Sequence, residues 1–262
     1  MVLDIAPHKD KDYAHAEEPP VLPRQGQRRG RTTSNPTGVK AKMAKLICPS
    51  IFSSVSFENL QDVVRVIDES DTDIFHLDVL DGSFVSNFGL SPQDIQVVRK
   101  HTDKLIDVHL MIMNPGRYVE KFAALGCDII YIHPEAEIHA ARTLSAIRAL
   151  GKHPGIAVNP GTSIAMIEEL MPLIDYVMVM GVNPGFAGQK FIPHVERKIE
   201  KFSALRKAFD FKMILDGGVS FETIERFNTF DLDGFIAGYD IIANRELADY
   251  KAIFARFRSL IS

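Results

Sequence analysis

Four side chains in this sequence could together carry metal or acid–base chemistry: His76, Asp78, His109 and Asp216. His76 and Asp78 stand two apart in the apolar run DIFHLDV (73–79), and a period of two puts both on one face of a strand. His109 lies near the end of KLIDVHLMI (104–112), and Asp216 ends KMILD (212–216). If these runs are strands of one sheet closed on itself, two imidazoles and two carboxylates converge on one opening. That donor set suits a divalent cation such as Zn²⁺, Fe²⁺, Mn²⁺ or Co²⁺. A single histidine near an apolar strand reads more readily as a structural, hydrogen-bonded group. Four such groups aimed at one mouth tip the reading towards a site, although ligands scattered along a chain are a weaker sign than a compact helical motif. Ser50, His133 and Asn159 also end apolar runs, where a polar group is costly unless paired.

A second kind of chemistry is written in glycines. NPGFAGQ (183–189) carries Gly185 and Gly188, DGG (216–218) carries Gly217 and Gly218, and AGYD (237–240) carries Gly238. Glycine lets backbone N–H groups come close to an anion, and a following helix adds its dipole. Each stretch alone could be a tight turn. Three in a row, after the last three apolar runs, match the place where barrels bind phosphate.

The elements that must position these residues alternate regularly. Strands are expected over 45–51, 73–79, 104–112, 128–133, 155–159, 175–181, 212–216 and 233–238. Helices are expected over 57–70, from near Ser91, and over 115–125, 140–150, 163–169, 195–209, 221–227 and 249–260. The strands are nearly solid Ile- and Val-rich runs, as in a sheet covered on both faces. The helix over 57–70 shows Leu60, Val63, Val64 and Ile67 at helical spacing. Eight such units in about 220 residues predict an α/β fold of the (β/α)8 TIM-barrel type. The rival, a doubly wound open sheet, lacks its GxGxxG fingerprint here.

Residues 1–42 do not fit this pattern. They hold eight Lys/Arg against five Asp/Glu, five prolines and no apolar run able to form a core. They read as a disordered N-terminal extension, leaving 43–262 as a single catalytic barrel. The extension is net +3, so the barrel carries −7 of the chain total of −4. Its arginines are a more distant, non-enzymatic binding possibility, but nucleic acid is not the expected partner. No run reaches about 18 apolar residues, so no membrane span is expected. Two cysteines, Cys48 and Cys127, make no disulfide framework and fit a reducing compartment, so a cytoplasmic protein is expected.

The stretches CPSI (48–51), HLDVLDGSFVSN (76–87), DVHLMI (107–112), HPEA (133–136), VMGVNPGFAGQKFI (179–192) and LDGGV (215–219) together resemble the ribulose-phosphate 3-epimerase family. The resemblance is collinear over roughly 45–245. It implies a ribulose-phosphate-binding barrel with one divalent metal, no organic cofactor, and a sugar phosphate as partner. It implies inversion at C3, most simply of D-ribulose 5-phosphate to D-xylulose 5-phosphate, through a 2,3-enediolate. Carried onto this sequence, His76, Asp78, His109 and Asp216 are the metal ligands, and Asp78 and Asp216 the acid/base pair. Ser50, His109, Met111 and Met180 line the substrate chamber. Gly185, Phe186, Ala187, Gly188, Gly217, Gly218, Gly238 and Tyr239 form the phosphate loops. The family also implies a homo-oligomer, a dimer or a hexamer.

Several positions depart from the family pattern. Leu80 replaces a usual Met, Ser86 a usual Pro, and Gly181 a usual Ser or Thr. NFGLSP (87–92) is closer to the allulose-6-phosphate 3-epimerase branch, which acts on a sugar one carbon longer. Tyr239 stands where Ser or Thr usually lies beside the phosphate. These departures bear on substrate identity more than on the type of reaction.

Overall fold

The computed structural model describes residues 44–54 and 57–262. The expectation of a disordered extension over 1–42 falls outside them.

Eight short strands are buried on both faces: β1 (Leu46–Pro49), β2 (Ile74–Leu80), β3 (Leu105–Met111), β4 (Ile129–Ile132), β5 (His153–Val158), β6 (Tyr176–Met180), β7 (Lys212–Asp216) and β8 (Gly234–Ala237). Their alternation sorts side chains into two layers. Cys48, Ile129, Tyr131, Met178, Ile214 and Ile236 fill the inside of the ring. Phe75, Leu77, Val108, Ile130, Val177 and Leu215 face outward into the helix layer. Every strand pair is parallel, in the spatial order β1-β8-β7-β6-β5-β4-β3-β2. The ring shuts between β1 and β2 through the parallel bridge Ser50–His76. Asp73 strengthens that seam. Its N–H donates to the Ile47 carbonyl at 2.9 Å, and its carboxylate accepts the Ile47 N–H at 2.8 Å. The expected (β/α)8 barrel is the observed fold.

Nine α-helices, counted among the described residues, cover or cap the ring: α1 (Ile51–Ser54), α2 (Leu60–Asp68), α3 (Pro92–Lys100), α4 (Val119–Ala124), α5 (Ala140–Ala149), α6 (Glu196–Leu205), α7 (Phe221–Phe227), α8 (Tyr239–Ile242) and α9 (Tyr250–Ile261). In α2 the four spaced apolar residues are the buried ones, as the periodicity requires. Ser91 caps α3 in a reciprocal box with Asp94, and Pro92 sits at the first helical position, where its missing N–H costs nothing. From α9, Arg258 reaches back to the Asp73 carboxylate at 2.7 Å and so ties the last helix to the closing seam.

One expected helix is replaced. Residues 163–169 do not form an α-helix; two tighter 3-10 turns stand there, Ile164–Met166 and Glu168–Leu173. Pro172 interrupts this connection, and a 3-10 turn climbs farther per residue than an α-helix, so it returns to β6 in fewer residues. Among the described residues no helix is long and apolar enough to cross a membrane.

Candidate active site

The β2–β3 register assembles the core of the site. Asp78 lies beside His109, and one step deeper His76 lies beside Asp107. All four alternate onto the inner face, at the carboxyl end of the ring. Asp216 enters from the end of β7. His76 Nε2 is 3.2 Å from Asp78 Oδ1, and His109 Nδ1 is 3.3 Å from the same oxygen and 3.8 Å from Asp216 Oδ2. Taking one donor atom from each of the four residues, all lie within 4.8 Å of one another. Both imidazoles are fully buried.

This donor set fits one divalent cation. The Nδ1 of His76 is engaged by the Asp107 carboxylate at 2.5 Å, which leaves Nε2 to face the cluster. Burial works against a charged His76, but Asp107 and Asp78 outweigh it and raise its pKa well above the imidazole norm. Burial likewise opposes ionisation of Asp78, yet the positive field of His76 and hydrogen bonds from His109 and His76 hold its carboxyl far below the usual range. Asp216 moves the other way. Burial raises its pKa, His76 partly offsets this, and the charge on Asp78 raises it further. Two neighbouring carboxylates in unlike environments are what opposed acid and base roles need.

Above the cluster opens a cavity walled by the glycine loops. Of the residues expected at the site, Ser50, Asp78, Met111, Met180, Asp216 and Tyr239 line it, as do Gly185 to Gly188, Gly217, Gly218 and Gly238. His76 and His109, expected at the site, do not line it; they are the fully buried members of the cluster beneath it. Ser50 donates to Asp78 Oδ2 at 2.8 Å, so this hydroxyl helps to orient the carboxylate. Among the lining residues there is no Lys or Arg, so a bound phosphate would be met by backbone N–H groups and not by a cationic side chain.

The glycine loops are shaped by close approach. Gly218 has φ +67°, and a Cβ there would lie 2.6 Å from the Phe191 nitrogen. Gly185 has φ +109°, and a Cβ would meet that of Val85 at 2.8 Å. Any other residue at either place would force the two loops apart. The 183–189 loop is also held by hydrogen bonds. Asn87 donates to the Gly185 carbonyl at 2.8 Å, and Gln189 to the carbonyls of Asn183 and Phe186 at 2.7 and 2.8 Å. The ring of Tyr239 lies beside Gly188 at the cavity edge, and its hydroxyl accepts from Asn244 at 3.3 Å.

Residues 46–242 match the ribulose-phosphate 3 epimerase family. The chain is 42% identical over 181 residues to a ribulose-phosphate 3-epimerase of Synechocystis, which covers 66% of this chain and 77% of that protein. The chain belongs to the ribulose-phosphate 3-epimerase family. Its relative in Aquifex aeolicus, also a ribulose-phosphate 3-epimerase, is 37% identical over 211 residues, covering 78% of this chain and 92% of the relative. Among solved structures, the 3-keto-L-gulonate-6-phosphate decarboxylase of Vibrio cholerae superposes with a TM-score of 0.63 at 17% identity, over 84% of this chain and 99% of that one. That likeness is one of fold. As a member of the epimerase family the chain is an isomerase, and its two imidazoles and two carboxylates form the kind of centre that holds a single divalent ion.

Two contributors carry no role in the sequence reading. Asp107, 1% exposed, orients His76. Its signal was present, because it stands two residues before His109 and must share its face. His133 was visible only as a polar strand end. Its Nε2 lies 2.7 Å from His109 Nε2, and burial pushes its pKa down to about 4.

Proposed function

We propose that this chain epimerises C3 of a 2-ketose phosphate, interconverting D-ribulose 5-phosphate and D-xylulose 5-phosphate. The observation that carries the reading is the convergence of Asp78 and Asp216, from β2 and β7, at the floor of a cavity whose far wall is glycine loop. When bound, a divalent ion held by His76, Asp78, His109 and Asp216 supplies Lewis-acid stabilisation of negative charge on the substrate oxygens. The protein side chains do the rest. One Asp takes the C3 proton, leaving a 2,3-enediolate, and the other delivers a proton to the opposite face. Met111, Met180 and Leu80 give the reacting carbons an apolar wall. Backbone N–H groups of Gly185 to Gly188, Gly217, Gly218, Gly238 and Tyr239 hold the phosphate, so binding energy far from C3 orients it.

The test is ¹H NMR of the metal-loaded chain with ribulose 5-phosphate in D₂O, in parallel with allulose 6-phosphate. Inversion and deuterium uptake at C3 of the pentulose is the expected result; no inversion of either sugar overturns the reading. Faster turnover of the hexulose would instead select the allulose-6-phosphate reading, which NFGLSP and Tyr239 support and which uses the same carboxylates.

A homo-oligomer, a dimer or a hexamer, belongs to the same proposal, as does a cytoplasmic site of action in keeping with the buried free thiols of Cys48 and Cys127. Light scattering and cell fractionation test these. Residues 1–42 take no part in the chemistry, so a chain starting at Met43 should turn over at the full-length rate.

A further inference from the structure

We propose that His133 is a positioning residue for His109: it accepts the His109 Nε2–H on its own Nε2, Glu135 holds the His133 proton on Nδ1, and the His109 Nδ1 lone pair is thereby kept turned into the cluster. The inference rests on the reading of His76, Asp78, His109 and Asp216 as a cation site.

The argument starts from the two nitrogens of His109. Nδ1 faces the carboxylates of Asp78 and Asp216, at 3.3 and 3.8 Å. Nε2 faces His133 Nε2 at 2.7 Å. Two ring nitrogens at that distance share one proton, since one must donate and the other accept. If His133 donated, its own Nδ1 would be a bare lone pair, and Nδ1 is directed at the Glu135 carboxylate, 3.8 Å away. Lone pair and carboxylate would repel. With a cation in the cluster taking the His109 Nδ1 lone pair, which would otherwise face the Asp78 and Asp216 carboxylates, His109 donates from Nε2 and His133 keeps its proton on Nδ1, where the Glu135 carboxylate attracts it. Neither His133 Nδ1 nor Glu135 Oε2 has a hydrogen-bond partner, and each is the nearest ionisable group the other faces, at 3.8 Å. Glu135 is itself anchored, because the Thr162 hydroxyl donates to its other oxygen. Lys198 braces the same corner by donating to the carbonyls of Asn159 and Thr162 at 2.6 and 2.5 Å. The Phe84 ring packs 4.8 Å from the His133 ring and covers it.

The two histidine ligands are therefore oriented by different means. Asp107 acts directly on His76. For His109 the carboxylate is set one imidazole farther back, so orientation comes from a neutral acceptor whose tautomer a remote charge selects. Partners of this kind are worth about 10- to 100-fold in metal affinity.

The experiment measures Zn²⁺ affinity by chelator competition in the wild-type chain and in His133→Leu, His133→Gln and Glu135→Leu. It is paired with long-range ¹H–¹⁵N spectra of the histidine rings in the Zn²⁺-loaded protein. The spectra are expected to place the protons on His109 Nε2 and His133 Nδ1. His133→Leu should weaken Zn²⁺ binding about 10- to 100-fold. His133→Gln, whose amide oxygen can accept the same N–H, should recover most of that loss, which a purely space-filling role would not explain. Glu135→Leu should give a smaller loss. A His133 proton on Nε2, or unchanged Zn²⁺ affinity in a folded His133→Leu, overturns the inference. Should His133→Leu fail to fold, the wild-type spectra and Glu135→Leu decide. A wild-type chain that binds no Zn²⁺ overturns the cation site itself, whereas tight wild-type binding left unaltered by these variants refutes the relay alone.

Discussion

Replacing Asp216 with Asn separates the two carboxylates more sharply than any other change. Asn has nearly the same shape and keeps one oxygen towards the cation position, but cannot take or give the proton, so the comparison is made at saturating metal. Burial and the charge of Asp78 both disfavour a charged Asp216, so a neutral amide relieves strain in the metal-free protein. Its thermal midpoint at neutral pH should be unchanged or higher. The main-chain bond from Gly181 N–H to the Asp216 carbonyl, 2.6 Å, does not involve the substituted group, so the end of β7 should hold. Loss of one acid/base residue costs about 10²- to 10⁴-fold in rate. At ~1.4 kcal/mol per tenfold, that is about 3–6 kcal/mol of barrier. The remaining Asp78 can still reach one face of C3. One epimer of the substrate should therefore exchange its C3 proton with D₂O and regain deuterium on the same face, without inverting. The other epimer should be inert. The assay follows ¹H loss at C3 for each epimer separately, beside epimerisation by a coupled or polarimetric readout. Equal exchange by both epimers, or near-normal turnover, would refute the assignment of one carboxylate to each face.

Three further outcomes are expected. Dialysis against a chelator should abolish turnover, and a divalent transition ion should restore it; full activity in chain verified metal-free by elemental analysis would exclude an essential ion. Gly218→Ala, at φ +67° and against the Phe191 nitrogen, should lower stability by about 1–3 kcal/mol and raise KM for the sugar phosphate, as read by calorimetry and initial rates. At the opposite end of the barrel, burial works against a charged Asp175, but Arg148 and His153 outweigh it and hold its carboxyl below the usual range. A depressed folded pKa gives stability that is full above the unfolded value of ~3.9 and is lost as pH falls from there through the lower folded value. Urea unfolding from pH 6 to pH 3 should show this loss, and Asp175→Asn should flatten that part of the curve.

Much of this molecule is legible without coordinates. Largely apolar runs of five to nine residues, each followed by an amphipathic stretch, admit few arrangements, and the shared face of His76 with Asp78 follows from period two alone. The helical spacing of Leu60, Val63, Val64 and Ile67 and the cap at Ser91 are equally local, because the forces that set them act within a turn or two of chain. The short segment over 163–169 was not legible, since the cramped return to β6 around Pro172 is a constraint of the ring rather than of the residues in it.

The sequence by itself determined which chemistry was available: two carboxylates, two imidazoles and three glycine loops, placed at strand ends. Only the tertiary structure decided who touches whom. The β2–β3 register, which no local pattern specifies, sets Asp107 on His76 and Asp78 beside His109. Ring closure brings Asp216 across from a strand more than a hundred residues away, and the neighbouring β4 delivers His133 to the back of His109. Those contacts depend on how strands slide and curve against one another, a property of the whole packed barrel and not of any stretch within it.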